Sequence, residues 1–251
     1  MIGKEKLTHD VFKITLEFPN AEWIAGLAPS QHFKLHYKIG EKTVTKMYTP
    51  ISLVNQKGTV SFAIKVYRKN EQFPDGGKFT QILEDNIHIG DSIMCEGPIG
   101  KCKYFGNGKF SLMKKELPQK KKILLIAGGT GLTPCFSIAQ AAIMSGDDID
   151  ISFLFSNKTK DDILCENEID ALNKVNPEKF KVFHTLTRHD DAKHGEWAGL
   201  RGRVNKEMLD KVGLPAPADD VFIFRCGPNA FCADIKTCLE ENGYIENVHF
   251  N

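Results

Sequence analysis

Hydrophobic and polar residues alternate along several short stretches in the first half of the chain. Such alternation is typical of β-strands, whose successive side chains point to opposite faces of a sheet. Turn sequences such as Pro19-Asn20 and Gly40-Glu41 separate the stretches. The predicted strands span residues 10–18, 31–39, 43–49, 59–67 and 91–97. Short strands interrupted by only one short helix, at residues 78–85, predict an antiparallel β-barrel.

The second half of the chain has a different pattern. The run "ILLIA", residues 123–127, is continuously apolar, which is typical of a strand buried on both faces. Thr133 is expected to cap the helix that follows it, and Asn205 a later helix. Further strands are predicted at 150–157, 179–188 and 220–228, and helices at 135–146, 162–175, 205–212 and 229–243. Strand–helix alternation with short connections predicts a doubly wound parallel α/β sheet.

A charged stretch with a proline, "MKKELPQKKK", lies between these two patterns. Polar segments of this kind commonly join domains. We therefore predict a two-domain protein, with a β-barrel domain at residues 1–112, a linker at 113–121 and an α/β domain at 122–251. The alternative is a long polar loop within one domain.

Composition narrows the class of protein. The 251 residues include 33 Lys and Arg against 32 Asp and Glu, and this balance gives no indication of nucleic-acid binding. No apolar run reaches the length of a membrane helix, roughly 20 residues. The seven cysteines are odd in number and include no CxxC pair, which argues against disulfides, zinc or an iron–sulfur cluster, so we expect no metal site. His32 and His36 lie in an alternating segment and are interpreted as structural.

The stretch "TKMYTPIS" carries a cation and an aromatic ring on one face of a strand. Alternation places Lys46 and Tyr48 on one side, and Met47 and Thr49 on the other. The simplest interpretation is an edge strand with a solvated lysine. A ligand that contacts both side chains is the alternative.

Three glycine-containing segments are candidate ligand sites. "AGGTGLTP" and "CGP" each follow a buried strand, and "FPDGGKFT" opens the short helix of the β-domain. Glycines permit a close backbone approach, and a helix N-terminus favours a phosphate. The alternatives are a tight turn without a ligand and, for Cys226, a buried filler residue. Two anion-binding helix starts on two domains indicate two nucleotide-like ligands and electron or hydride transfer.

Together the motifs resemble the NADH-cytochrome b5 reductase branch of the ferredoxin-NADP reductase superfamily. "YTPIS", "IKVY" with "FPDGGKFT", and "GDSIMCEGPIGKCKYFGNGKF" resemble its flavin-domain motifs. "AGGTGLTP", "FSNKTKDDIL", "GRVNKEML" and "CGPNAF" resemble its nucleotide-domain motifs in the same order. The family pattern has arginine where Lys46 stands, and it often has proline where Met47 stands.

The resemblance implies that the β-barrel binds FAD and that the α/β domain binds NADH. It assigns FAD contacts to Lys46, Met47, Tyr48, Thr49, Ile64, Lys65, Tyr67, Gly76, Gly77, Lys78, Phe79, Thr80 and Thr133. It assigns NADH contacts to Gly129, Thr130, Gly131, Asp162, Cys226, Gly227, Pro228 and Phe231. Thr49, Lys65 and Cys226 are the implied catalytic residues, with Thr49 near the flavin N5 and Cys226 near the nicotinamide.

Asp162 matches a family carboxylate near the adenosine ribose. A carboxylate there accepts hydrogen bonds from the ribose hydroxyls and repels a 2′-phosphate, whereas Lys158 and Lys160 have the opposite effect. We expect a preference for NADH.

The implied reaction is hydride transfer from NADH to FAD, followed by single-electron transfer to a haem protein such as cytochrome b5. The alternatives are the reductase fragment of a larger chain such as nitrate reductase, and a nucleotide-sensing module without catalysis. We expect a monomer in the cytoplasm that would associate with the cytosolic face of a membrane only through a segment outside this chain.

Overall fold

The computed structural model describes residues 1–71, 74–244 and 249–250. Phe73, the first residue of the "FPDGGKFT" motif, lies outside the described residues. The strands are β1 Gly3–Lys6, β2 Val11–Glu17, β3 His32–Ile39, β4 Lys42–Tyr48, β5 Thr59–Lys65, β6 Met94–Ile99, β7 Cys102–Tyr104, β8 Phe110–Leu112, β9 Lys115–Glu116, β10 Lys122–Gly128, β11 Asp150–Asn157, β12 Phe180–Leu186, β13 Leu200–Arg201, β14 Val221–Cys226 and β15 His249–Phe250. The α-helices are α1 Lys78–Asp85, α2 Leu132–Met144, α3 Glu166–Val175, α4 Asp191–His194, α5 Lys206–Lys211 and α6 Asn229–Glu241.

The first part of the chain forms three antiparallel three-stranded sheets, with strand orders β1-β2-β5, β4-β3-β6 and β7-β8-β9. Alternation sorts the side chains between core and solvent. Ile14 of β2 lies opposite Phe62 of β5, and both are fully buried. Leu35 of β3 belongs to the same apolar cluster. The predicted antiparallel β-domain is confirmed.

Helix α1 has the limits predicted from the sequence. Its buried face consists of Phe79, Thr80 and Leu83, and the other residues of the helix are polar or half-buried. The ammonium group of Lys4 donates to the carbonyls of Leu83 and Ile87, at 2.7 and 3.0 Å. A cation at a helix C-terminus satisfies free carbonyls and complements the helix dipole. Strand β1 therefore fixes the position of this helix against the barrel.

The second part is one parallel sheet with the strand order β13-β12-β11-β10-β14-β15. Central strand β10 is buried on both faces. Ile123 and Leu125 join the cluster that includes α2 and α3, whereas Leu124 and Ile126 join the cluster that includes α5 and α6. Helices therefore cover both faces, and the predicted doubly wound fold is confirmed. The strand order reverses between β10 and β14, where ligands bind in sheets of this type.

Two helix starts differ from the sequence-based expectation. Thr133 does not cap α2, because a 3₁₀ turn at Gly129–Gly131 precedes the helix and makes Gly131 the N-cap. The helix predicted from residue 162 begins at Glu166 instead. Cys165 has a left-handed φ of 54°, and Ile163 and Leu164 are buried against the core, so packing breaks the helix there. Asn205 caps α5 as predicted, since its side chain accepts from the Met208 amide at 2.9 Å.

The charged stretch between the two patterns contains strand β9, which pairs with β8. The Phe110 ring of β8 lies 4.2 Å from the Phe222 ring of β14, so this hairpin packs on the α/β domain. Val11, Ile51 and Ala63 of the barrel belong to the same continuous core. The two parts therefore share an apolar interface, and the linker boundaries remain a prediction. Among the described residues, no helix has the length and apolar character needed to span a membrane.

Candidate functional site

A cavity of about 1400 Å³ lies between the barrel and the parallel sheet. Its walls come from β4, β5 and the segment after β6 on one side, and from the carboxyl ends of β10, β11, β12 and β14 on the other. Pockets for one small ligand typically have volumes of roughly 300–1,000 Å³. The space is therefore large enough for two nucleotide-sized molecules that meet between the domains.

Most residues predicted for the site line this cavity. From the flavin set these are Met47, Tyr48, Thr49, Lys65, Tyr67 and Thr133. From the NADH set they are Gly129, Thr130, Gly131, Asp162, Cys226, Gly227, Pro228 and Phe231. The predicted residues that lie outside the cavity wall are Lys46, Ile64, Gly76, Gly77, Lys78, Phe79 and Thr80.

Strand β4 carries the cation and the aromatic ring on one face. Lys46 lies opposite Leu35, and Tyr48 lies opposite Phe33, and both partners belong to the core. Directly opposite residues of an antiparallel pair share a face, which confirms the predicted alternation. The Tyr48 ring lies 5.6 Å from the Phe79 ring. Burial, together with neighbouring Tyr67, raises the pKa of the Tyr48 hydroxyl, which is therefore protonated at neutral pH.

The N-terminus of α1 is attached to the cavity wall through Tyr67. The Gly77 amide donates to the Tyr67 carbonyl at 2.7 Å, and the Tyr67 amide donates to the Thr80 hydroxyl at 3.2 Å. A Cβ on Gly77 would lie 2.3 Å from that hydroxyl, so the turn requires glycine. The N-cap residue is Gly77, which has no side chain to cap the helix, and the first turn contains no acidic residue. As in any α-helix, the first backbone amides of α1 have no acceptor within the helix, and amides of this kind can bind an anion.

The glycine-rich turn before α2 meets the end of β14. A Cβ on Gly131 would lie 2.1 Å from the Cys226 carbonyl oxygen. A Cβ on Gly128 would lie 3.0 Å from the Phe231 ring, and a Cβ on Gly227 would lie 2.6 Å from it. Glycine at these positions brings the two strand ends into contact at the point where the strand order reverses.

The Cys226 side chain lies half-buried at this junction. Burial, with a smaller effect of nearby Cys232, raises the pKa of the Cys226 thiol to about 11. The sulfur is therefore neutral at pH 7, and a nucleophilic role is not favoured. A neutral thiol can still pack against a ring and position it.

Lys65 and Asp162 connect the two domains. The Lys65 ammonium lies 2.7 Å from Asp10 and 3.9 Å from Asp162. Asp162 also accepts from the amide and the hydroxyl of Thr159, at 3.0 and 2.8 Å. His9, Asp10 and Asp162 have potential metal-binding atoms within 4.8 Å of one another, but Lys65 already supplies a positive charge there. The Asp162 carboxylate thus accepts two hydrogen bonds from Thr159 and lies near Lys65 before any ribose is considered.

Several residues of the cavity wall were not predicted from the sequence: Ser30, His32, Lys101, Cys102, Asn157, Thr187, Arg188, Arg203 and Asp234. His32 was interpreted as structural, but its Nε2 atom is buried without a hydrogen-bond partner among the described residues. Burial, with a smaller effect of Lys34, lowers the pKa of His32. Only the fold brings these residues together, because they belong to segments that are far apart in the sequence.

Comparisons with known families agree with this geometry. Residues 1–104 match the oxidoreductase FAD-binding domain, and residues 125–237 match the oxidoreductase NAD-binding domain. NADH-cytochrome b5 reductase 2 of Xenopus laevis is 38% identical over an alignment of 262 residues, gaps included, which covers 100% of this chain and 86% of that protein. NADH-cytochrome b5 reductase 3 of Rattus norvegicus is 36% identical, over 91% of this chain and 76% of that protein.

A solved structure shows the same relationship. The cytochrome b5 reductase domain of Ulva prolifera nitrate reductase superposes with a TM-score of 0.90 at 31% identity, covering 99% of this chain and 95% of that one. The FAD- and NAD-binding domains that the sequence predicted are thus confirmed. Similarity over the full chain, at these identities, shows that this protein belongs to the NADH-cytochrome b5 reductase family of flavin-dependent oxidoreductases.

Proposed function

We propose that this protein takes hydride from NADH and passes single electrons to a haem protein such as cytochrome b5. The observation that carries the proposal is the cavity between the two domains, because residues predicted for both nucleotides line its opposite walls. FAD accepts two electrons as hydride and releases them one at a time. The protein's part is to bind the two rings in contact and to exclude water.

The flavin wall fits an aromatic ring system with an anionic tail. Tyr48 offers a half-buried ring, and Thr49 offers a buried hydroxyl at the end of the same strand. The amides at the start of α1 would hold a diphosphate beyond Tyr67. The Thr80 hydroxyl already accepts from Tyr67 and donates to the Gly77 carbonyl, at 3.2 Å each. We therefore propose that Thr80 shapes this turn and that the backbone amides bind the anion.

The nucleotide wall fits a second ring system. Gly129, Thr130 and Gly131 place backbone amides at the start of α2, where a diphosphate would bind. Cys226 and Gly227 border the point where the nicotinamide would meet the flavin. The neutral thiol of Cys226 would hold the ring at van der Waals distance, so we regard Cys226 as a contact residue without a proton-transfer role.

An anaerobic titration tests the proposed reaction. The purified protein should show flavin absorption bands, and these should bleach on addition of one equivalent of NADH. Oxidised cytochrome b5 added next should be reduced with a stoichiometry of two haems per NADH, while the flavin bands return. A colourless protein that still binds NADH would contradict the proposal and would indicate a nucleotide-sensing module.

A second candidate is the reductase portion of a longer haem-containing chain. The observation that favours it is the 0.90 TM-score with the reductase domain of a nitrate reductase. The product of the complete gene, purified from its source, distinguishes the two. A haem Soret band in the same polypeptide would support the second candidate, and flavin alone would support the first.

We also propose that the protein is a monomer of the cytoplasm, with any membrane contact made through a segment outside this chain. The seven cysteines are all free in the structure, as in a reducing compartment. Sedimentation equilibrium should give a mass close to 28.1 kDa. A concentration-independent mass of twice that value would contradict the monomer. Fractionation of cells should find the complete gene product in the cytosol or on the cytosolic face of a membrane, and protection from protease in intact organelles would contradict that location.

A further inference from the structure

Three cations of the cavity wall come after β11, β12 and β13, which lie on the other side of β10 from β14. Lys158 follows β11, Arg188 follows β12, and Arg203 follows β13. These strands are neighbours in the sheet, and each cation lies one or two residues beyond the end of its strand. We call Lys158, Arg188 and Arg203 the basic rim.

The backbone holds two of these cations side by side. The Arg188 amide donates to the Lys158 carbonyl at 2.8 Å, and the Thr187 amide donates to the Asn157 carbonyl at 2.9 Å. The parallel pairing of β11 with β12 thus continues past the ends of the strands. The arrangement of the basic rim is therefore part of the sheet, although its side chains are exposed.

A buried donor lies directly beside the basic rim. Asn157 lines the cavity and is only 6% exposed, yet its Nδ2 atom has no hydrogen-bond partner among the described residues. A buried amide donor without an acceptor costs free energy. A ligand that brings an acceptor oxygen to this position would remove that cost.

The carboxylates near the basic rim do not balance its charge. Among the described residues that line the cavity, the carboxylates are Asp162 and Asp234. Asp162 is engaged by Thr159 and Lys65. Asp234 is 59% exposed and lies 3.9 Å from Arg203, which is itself 87% exposed, so this pair is loose. Lys158 and Arg188 make no ion pair with a described residue.

We propose that the basic rim binds a phosphate on the adenosine ribose, so that the protein uses NADPH as well as NADH. A dinucleotide whose diphosphate lies at the start of α2 extends its adenosine along the ends of β11 and β12. Arginine near this position accommodates a 2′-phosphate, and charge-assisted hydrogen bonds to phosphate are strong. Asp162, which would repel that phosphate, accepts two hydrogen bonds from Thr159 and lies 3.9 Å from the Lys65 ammonium, and both contacts weaken the repulsion. This inference rests on the proposed NADH site, and it adds NADPH to the nucleotide for which a preference was expected.

Binding of nucleotide fragments tests the inference without turnover. Adenosine 2′,5′-bisphosphate, adenosine 3′,5′-bisphosphate and 5′-AMP would be titrated into the flavin-loaded protein by calorimetry at low ionic strength. The 2′,5′ isomer should bind about tenfold or more tightly than 5′-AMP, as a charge-assisted contact requires. It should also bind more tightly than the 3′,5′ isomer, which carries the same charge. Equal affinities for the two isomers would overturn the inference.

Matched variants locate the contact. Lys158→Gln and Arg188→Gln should each weaken binding of the 2′,5′ isomer severalfold more than binding of 5′-AMP. Lys160→Gln removes the same charge two residues from Lys158 but lies outside the cavity wall, so it should have no effect. A loss in Lys160→Gln equal to that in Lys158→Gln would show only a general electrostatic field and would overturn the inference.

Steady-state kinetics separates this inference from the proposed function. NADPH should be oxidised with a KM within about tenfold of that for NADH, and Arg188→Gln should raise the KM for NADPH more than the KM for NADH. Turnover of NADH without selective binding of the 2′,5′ isomer would overturn the inference and leave the proposed function intact. Selective binding without turnover of either nucleotide would overturn the proposed function and leave the basic rim as an anion site.

Discussion

Lys46 shows how one residue can keep its place in a motif while its chemistry changes. The strand register places Lys46 on the face of Tyr48, and the side chain forms no ion pair with a described residue. Arginine binds a phosphate through a planar pair of donors, whereas lysine offers a flexible, strongly hydrated point charge. A single lysine at this position should therefore bind a diphosphate less tightly than the arginine of the family pattern.

Lys46→Arg is accordingly expected to strengthen FAD retention by about tenfold, the gain of a bidentate over a single charged contact. The measurement is the fraction of flavin that remains bound after serial dilution and filtration. Lys42→Arg is the matched control, because residue 42 lies on the same strand and face but at the hairpin end. Retention that is unchanged or weaker in Lys46→Arg would show that residue 46 does not contact the diphosphate.

Asp162 illustrates the limit of motif matching at the residue scale. The sequence identifies a carboxylate in the right motif, and the structure places that carboxylate in the cavity wall. Its hydrogen bonds to Thr159 and its proximity to Lys65 depend on a 3₁₀ turn and on a second domain, neither of which the motif specifies. The hydrogen bonds and ion pairs of a site residue are therefore less predictable from the sequence than its identity.

At the scale of elements, the contact between the glycine-rich turn before α2 and the end of β14 determines most of the shape of the nucleotide wall. Gly131 has an ordinary helical φ of −62°, so backbone conformation does not require glycine there. The requirement is steric, because the Cys226 carbonyl occupies the space that a Cβ would need. Any side chain at residue 131 must separate α2 from β14.

Gly131→Ala is expected to destabilise the protein by about 1–3 kcal/mol, the usual cost of overpacking. For a chain of this size each kcal/mol lowers Tm by about 2–4 °C, which differential scanning calorimetry resolves. NADH binding should weaken in parallel, because the start of α2 moves.

Gly129→Asn is the matched control for stability. Gly129 has a φ of 53°, which asparagine tolerates better than most residues, and apart from its chain neighbours no described residue has an atom within 4 Å of its missing Cβ. A Tm decrease in Gly131→Ala no larger than that in Gly129→Asn would show that the contact with Cys226 is not tight.

The elements themselves were largely predictable, and their junctions were not. Strand β11 and helix α1 have the limits given by periodicity, because strong alternation and a short amphipathic run determine them locally. Strands β7 to β9 were missed, since each has only two or three residues and the central strand β8 packs on Phe222 of the other domain. The late start of α3 and the basic rim likewise arise from contacts between segments distant in the sequence.

At the scale of the whole molecule, one apolar core and a few polar contacts join the two domains. The Ser30 amide faces the Ser137 hydroxyl at 3.4 Å, and Lys65 lies between Asp10 and Asp162. Phe136 of α2 and Ala63 of β5 belong to the same buried cluster. The shared buried core thus fixes the position of one cavity wall relative to the other. The polar contacts at the edge of the cavity determine the orientation of the two walls.

Half-buried histidines should make the stability of the molecule depend on pH in a defined window. Burial lowers the pKa of His184, which lies between the rings of Phe155 and Trp197, and it also lowers that of His32. The unfolded chain protonates these rings near pH 6.5, while the folded protein resists protonation. Unfolding therefore takes up protons, so stability is fully present above pH 6.5 and declines as the pH falls below it.

The Tm of the unmodified protein is expected to decrease as the pH falls from 7.5 to 5.5. The decrease should be smaller in His184→Phe, which keeps an aromatic ring in place and removes the titrating group. His88→Phe is the control, because this histidine is exposed and its loss should leave the slope unchanged. Exposed carboxylates that are paired with cations, such as Asp191 with Arg201, have lowered pKa values and act only at more acidic pH. A slope in His184→Phe equal to that of the unmodified protein would show that the His184 ring is hydrated in the folded state.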